Sequence, residues 1–90
     1  MKEINITIQE FRTPHGKGWL FIDKADNTFI AEVDKRKDKK KYDIFYRHVQ
    51  VGQRTSRLAA MNFAIDTISE RNPNTVINYK QSVVVIKEHF

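Results

Sequence analysis

The chain has 90 residues, with 16 Lys and Arg against 11 Asp and Glu, a formal net charge of +5, 40% hydrophobic and 30% charged side chains. That length allows one domain, 1–90, with a small core, which the ten aromatic residues can anchor. The absence of cysteine excludes disulfides, thiolate zinc sites and a cysteine nucleophile. No apolar run approaches the roughly 20 residues of a membrane span. Met1-Lys2-Glu3-Ile4-Asn5 does not read as a secretory leader. A cytoplasmic location with no membrane partner is therefore expected.

Ile4, Ile6 and Ile8 alternate with Asn5, Thr7 and Gln9, the period of a strand with one apolar face, which is expected to end at Phe11. Thr13-Pro14-His15-Gly16-Lys17-Gly18 reads as a loop, because proline and two glycines interrupt pairing. Gly16-Lys17-Gly18 lacks the spacing and the following helix of a phosphate loop and reads as a flexible turn. Trp19 to Ile22 is a second strand, Asp23 to Asn27 a turn, and Thr28 to Val33 a third strand hairpinned to the second. The basic run Lys35–Lys41 follows as a loop. Tyr42 to Val51, rich in aromatic and β-branched residues, predicts one long fourth strand.

The period then changes. Leu58, Met61, Ala64, Ile65 and Ile68 fall on one stripe of a helix over 55–70, with Thr55 or Ser56 as cap and Pro73 as stop. Thr75 to Tyr79 and Ser82 to Ile86 are β-rich again, as one bent strand or two. His89 and Phe90 are expected to fray. The order β-β-β-β-α-β predicts an α+β fold: an antiparallel sheet of about five strands with one helix packed on a face.

Charge is unevenly placed along this order. Lys35-Arg36-Lys37-Asp38-Lys39-Lys40-Lys41 holds six of the bases and one of the acids, which leaves ten of each elsewhere. Between Asp43 and Asp66 there is no acid, while Arg47, His48, Arg54 and Arg57 fall inside. Both biases point to a polyanion partner; the alternative for the lysine run is a solvated loop that only aids solubility. Among the bases, Tyr42, Phe45 and Tyr46 are able to stack on unpaired nucleotides. Tyr42 and Tyr46 share a face with Ile44, so core packing is the other reading.

Catalytic patterns are missing from the sequence. His15, His48 and His89 have no metal-ligand partner at helical spacing, and Ser56, Ser69 and Ser82 lie in no nucleophile context. Asp23, Asp26, Asp34, Asp38 and Asp43 read as residues of turns or neighbours of lysines. Phe63 is the odd apolar residue of the helix. At about 100° per residue it lies about 140° from Leu58, off the main stripe and beside Ala59 and Ala60. It is either a self-association contact, which would make the protein a homo-oligomer, or it is covered by another element of the fold.

Some segments resemble known families. Gly18-Trp19-Leu20-Phe21-Ile22, the polar turn Gln53-Arg54-Thr55-Ser56-Arg57-Leu58-Ala59-Ala60 and the strand 75–82 together resemble the first half of an RNase H-like fold. That resemblance implies metal-binding carboxylates in the first strand, at the helix start and at the end of the strand after the helix. The chain has Thr7, Ile8 and Gln9 with Glu10 one step on, then Arg57, then Asn78 or Tyr79. The implied protein keeps a nucleic-acid-shaped surface and lacks the catalytic metals. Ser56-Arg57, Ala60 and Ala64 also resemble the phosphate-bridging helix of double-stranded-RNA-binding domains, although the lysine pair is reduced to Arg57 and that domain's first helix is missing. The short, basic, cysteine-free, Asn- and Lys-rich character is similar to small accessory proteins of large T-even-like bacteriophages. That similarity implies a factor, in the host cytoplasm, that counters a host toxin–antitoxin or other defence nuclease, with the toxin nuclease as a protein partner.

The expectation is a non-catalytic RNA-binding protein, not an enzyme, with no metal or other cofactor. Lys35, Arg36, Lys37, Lys39, Lys40 and Lys41 form its electrostatic arm, and Arg47, Arg54 and Arg57 are its fixed phosphate contacts. The alternative is a protein-interaction module that inhibits an enzyme by occluding its site.

Overall fold

Alternating isoleucines build the first strand, β1 (Lys2–Thr13), whose Ile6 and Ile8 are buried on one face. β1 pairs antiparallel with β2 (Gly16–Asp23), β2 with β3 (Thr28–Arg36), β3 with β4 (Tyr42–Tyr46) and β4 with β5 (Val49–Arg54). The helix α1 (Arg57–Arg71) follows, and β6 (Thr75–Lys87) returns to lie parallel to β1. The sheet order is β5-β4-β3-β2-β1-β6. The structure, a computed structural model, describes the backbone of residues 2–87 and the side chains of residues 2–79. His89 and Phe90 lie outside the described residues.

The fold is α+β with one helix, as the sequence predicts, but the sheet is mixed and has six strands. The sixth strand comes from a turn inside the predicted fourth, and the mixed character from β6 lying parallel to β1. The single long strand predicted over 42–51 is broken by a two-residue turn, in which Arg47 and His48 take φ of 50° and 70°. Two successive positive φ values are the geometry of a tight hairpin turn, normally signalled by Asn-Gly; Arg-His hides it. Of the two readings left open for the segment after the helix, one bent strand or two, the structure has one strand, β6. Its register against β1 shifts between Thr7 and Ile8, where partner Lys80 is followed by Val83. This irregularity absorbs Gln81 and Ser82 without ending the strand. The first loop also shrinks: β1 runs on to Thr13 and β2 begins at Gly16, leaving only Pro14 and His15 between them.

The helix sits rotated from its predicted stripe. Ser56 caps it by accepting the Ala59 amide at 3.2 Å. The residues it buries are Ala60, Ala64, Thr67 and Ile68, while Leu58, predicted to be core, is 70% exposed. The small Ala60 and Ala64 side chains let the helix approach closely, mainly over β4, β3 and β5. Phe63 then drops onto β5 over Gly52: a Cβ added to that glycine would lie 2.7 Å from the ring tip. The core is completed by Trp19, Phe21, Ile30, Ala31, Val33 and Ile44. Because the helix leans toward β3–β5, its Leu58–Ile65 side faces β1, β2 and β6 across an open groove.

Candidate nucleic-acid interface

Strand directions decide which charges meet. β1, β3 and β5 finish at the same end of the sheet, and β2, β4 and α1 begin there, as the pairs Thr13↔Gly16, Gly16↔Arg36 and Tyr42↔Arg54 show. That end therefore gathers eight of the nine predicted contacts: Lys35, Arg36, Lys37, Lys39, Lys40, Lys41, Arg54 and Arg57. Lys35 and Arg36 are the last residues of β3 rather than part of the loop. Arg47 is at the other end, in the β4–β5 turn, roughly 15 Å away along β4.

Two cations that the sequence reading passed over belong to the gathered set. Arg12 is the last residue but one of β1 and Lys17 the second of β2, and the two are register partners; Lys17 in turn pairs with Lys35. Arg12, Lys17, Lys35, Arg36 and Lys37, with Thr13, Gly16 and Tyr42, line one groove. No acid lines it. Two acids of this end are paired: Glu10 with Arg12 at 3.2 Å and Asp38 with Arg36 at 3.0 Å. These are the two ion pairs among the described residues, so Lys17, Lys37, Lys39, Lys40, Lys41, Arg54 and Arg57 carry uncompensated charge there. In the sequence Lys17 stood only within Gly16-Lys17-Gly18, read as a flexible turn; its place in the groove follows from its pairing with Arg12 and Lys35.

Several of these cations are held in place. The Lys37 amide donates to the His15 carbonyl at 2.9 Å, tying the lysine connection to the β1–β2 turn. The Lys35 ammonium donates to the Arg36 carbonyl at 2.7 Å and to the Lys39 carbonyl. The Arg54 guanidinium lies 4.3 Å from the Phe63 ring centroid, a cation–π platform. Phe63 is thus half-buried, with β5 covering the side of the helix where it lies. Tyr42 and Tyr46 pack against the core on the Ile44 face. Tyr46 carries Arg47 and Arg71 at 5.9 and 5.3 Å from its ring centroid.

The second groove, beside the helix, is lined by Ile8, Trp19, Arg57, Leu58, Met61, Asn62, Ile65 and Tyr79. Ile8, Arg57 and Tyr79 are among the residues that the chain has where the RNase H-like resemblance implies carboxylates. A strand isoleucine, an arginine and a tyrosine offer a divalent cation no ligand oxygen except one phenol. Glu10 is buried and engaged by Arg12, and Asn78 donates to Asn5 Oδ1 at 3.1 Å. Among the described residues, no group of three His, Asp or Glu is arranged to hold a metal.

The acids collect on the other face of the sheet. Asp34 and Asp43 are cross-strand partners in β3 and β4, not loop residues as their sequence neighbours suggest. Asp43 Oδ1 accepts from Gln53 at 2.7 Å and Gln50 at 3.3 Å. Asp34 Oδ1 is buried without a hydrogen-bond partner among the described residues. Burial first, then the neighbouring Glu32 carboxyl and the Asp43 charge, push the Asp34 carboxyl up to about 8. The sheet thus separates a cationic end from an acidic patch on its open face. No helix among the described residues is long and apolar enough to cross a membrane. Comparison with protein-family models, with curated proteins and with solved structures returns no match.

Proposed function

We propose that the protein is a non-catalytic RNA-binding protein that holds phosphates along the cationic end of its sheet. One observation carries the reading: strand direction brings Arg12, Lys17, Lys35–Lys37, Lys39–Lys41, Arg54 and Arg57 together, with Glu10 and Asp38 already paired. Such contacts fix a polynucleotide's position without reading its sequence. They also release counterions, so affinity falls as salt rises. The non-catalytic half is supported by the donor set of the groove beside the helix, where Ile8, Arg57 and Tyr79 replace the implied carboxylates.

The test is RNA binding by fluorescence anisotropy in stepped salt, comparing the native chain with a Lys37→Gln, Lys39→Gln, Lys40→Gln, Lys41→Gln variant. The slope of log affinity against log salt is expected to fall by about 0.7–0.9 for each phosphate contact removed. The melting temperature is expected to change little, because all four side chains are exposed. Affinity and slope unchanged in the variant would reject the reading. The same RNA incubated with Mg²⁺ or Mn²⁺ is expected to stay intact.

A further inference from the structure

The cationic groove and the groove beside the helix have different linings and a common wall. Trp19 lines the second groove, and its ring lies 5.8 Å from Lys17 Nζ and 6.1 Å from the Tyr42 ring. Lys17 and Tyr42 both line the first groove. A phosphate chain seated on Arg12, Lys17 and Lys35 therefore passes within one side chain of an apolar cleft. Neither lining contains an acid.

The cleft has features of a site for a flat, partly polar ring. Leu58 and Tyr79 are left 70% and 43% exposed at its mouth, because the helix leans toward β3–β5 and uncovers this side. Arg57, at the first turn of the helix, puts a planar cation beside them. Asn62 adds an amide that can both donate and accept at a base edge. The cleft encloses about 180 Å³, the scale of one ring system rather than of a helix. A base inside a duplex is stacked on both faces and cannot enter, whereas an unpaired base has both faces free.

Resting on the RNA-binding reading above, we propose that the two grooves form one site for single-stranded RNA. The cationic groove takes the backbone. The apolar cleft takes one unpaired base, with Tyr79 and Leu58 against its faces and Asn62 at its edge. Base–aromatic stacking contributes little sequence preference, because every base has a π-face.

Three probes of about ten nucleotides separate backbone from base: an oligouridylate, an abasic ribose-phosphate chain of equal length, and an RNA duplex. The oligouridylate is expected to bind about tenfold more tightly than the other two. Leu58→Asn and, independently, Tyr79→Ala should bring it down to the abasic level and leave abasic binding unchanged. Leu58 is solvent-exposed, so its variant is expected to stay folded, which far-UV circular dichroism checks. Trp19 is the sole tryptophan, and its emission should change more with the oligouridylate than with the abasic chain at equal saturation, since Lys17 over its ring reports backbone binding in both cases. Equal affinity for all three probes overturns the base site and leaves the phosphate-binding reading standing. Binding of none of them overturns both.

Discussion

Arg54 and Arg57 stand at the end of the sheet where β1, β3 and β5 finish; Arg47 and Arg71 stand at the other, where β2, β4 and α1 finish. All four are exposed, and three of them lie over aromatic rings. Their neighbours differ. At the far end Glu3, Asp23, Asp26 and Glu70 match Lys2, Lys24, Arg47 and Arg71 one for one. Hydrogen bonds from Thr28, with a smaller contribution from the charge on Arg47, hold the Asp26 carboxyl below its usual range. At the near end ten cations gather on one side with Glu10 and Asp38, which are paired with Arg12 and Arg36, while Asp34 and Asp43 stand on the other face of the sheet. The same residue type thus serves a neutral surface at one end and a strong positive field at the other. The comparison teaches that cations act by where strand direction puts them, not by how densely they occur in sequence.

The sharpest way to break that comparison is to reverse charge at one end and then at the other. Arg54→Glu with Arg57→Glu is expected to weaken RNA binding by more than about 100-fold, since each of the two lost charged contacts is worth about 1.5–3 kcal/mol. Arg47→Glu with Arg71→Glu makes the same change in net charge and is expected to cost less than threefold. Equal losses in an anisotropy titration would mean that only bulk charge matters.

A smaller effect concerns how Arg54 is presented. Phe63→Ala removes its platform and empties the space over Gly52. Unfolding in urea should show a loss of about 2–3 kcal/mol, below the value for a fully buried phenylalanine because the ring is half-buried. RNA affinity should fall less than with Arg54→Glu. Sedimentation velocity on nuclease-treated protein provides the contrast: a drop in mass in folded Phe63→Ser protein would make Phe63 a self-association contact instead.

The acidic patch on the open face gives a pH-dependent prediction. Asp34 titrates at about 8 in the folded chain and at about 3.9 unfolded. Below about pH 4 its carboxyl is neutral in both states and costs nothing. Between these values the unfolded chain releases the proton and the folded chain keeps it, so stability declines; above pH 8 the decline is complete. Asp34→Asn keeps the neutral form. It is expected to raise the melting temperature at pH 8 and to leave it nearly unchanged at pH 4. No difference between the two pH values would mean that Asp34 ionises freely.

The smallest effect lies in the far-end turn. Arg47→Asn with His48→Gly supplies residues that tolerate positive φ at both positions. Thermal unfolding should show a gain of about 0.5–1 kcal/mol. RNA affinity should be unaffected although an arginine is lost, which sharpens the contrast between the two ends.

The strands and the helix were legible wherever periodicity or turn chemistry spoke. Ile4, Ile6 and Ile8 marked β1, Ser56 marked the helix cap, and the Asp23–Asn27 turn marked the β2–β3 hairpin, because backbone sterics and local hydrogen bonds act within a few residues. The Arg47-His48 turn was hidden because its residues are ones that only tertiary pairing of β4 with β5 holds at positive φ. The rotation of α1 was hidden for a related reason. Leu58 and Phe63 compete for the sheet, and the winner depends on which partner residue is small; Gly52 decides for Phe63.

Sequence by itself determined that the chain is small, basic and α+β, that its excess charge sits largely in residues 35–41, and that it carries no cysteine chemistry. These follow from composition and short-range order. Only the tertiary structure decided that β6 lies parallel to β1, that Arg12 and Lys17 join the lysine run while Arg47 leaves it, and that an apolar cleft opens beside the cationic groove. Those outcomes depend on strand direction and helix placement. They bring together residues far apart in the chain through packing that no local pattern encodes.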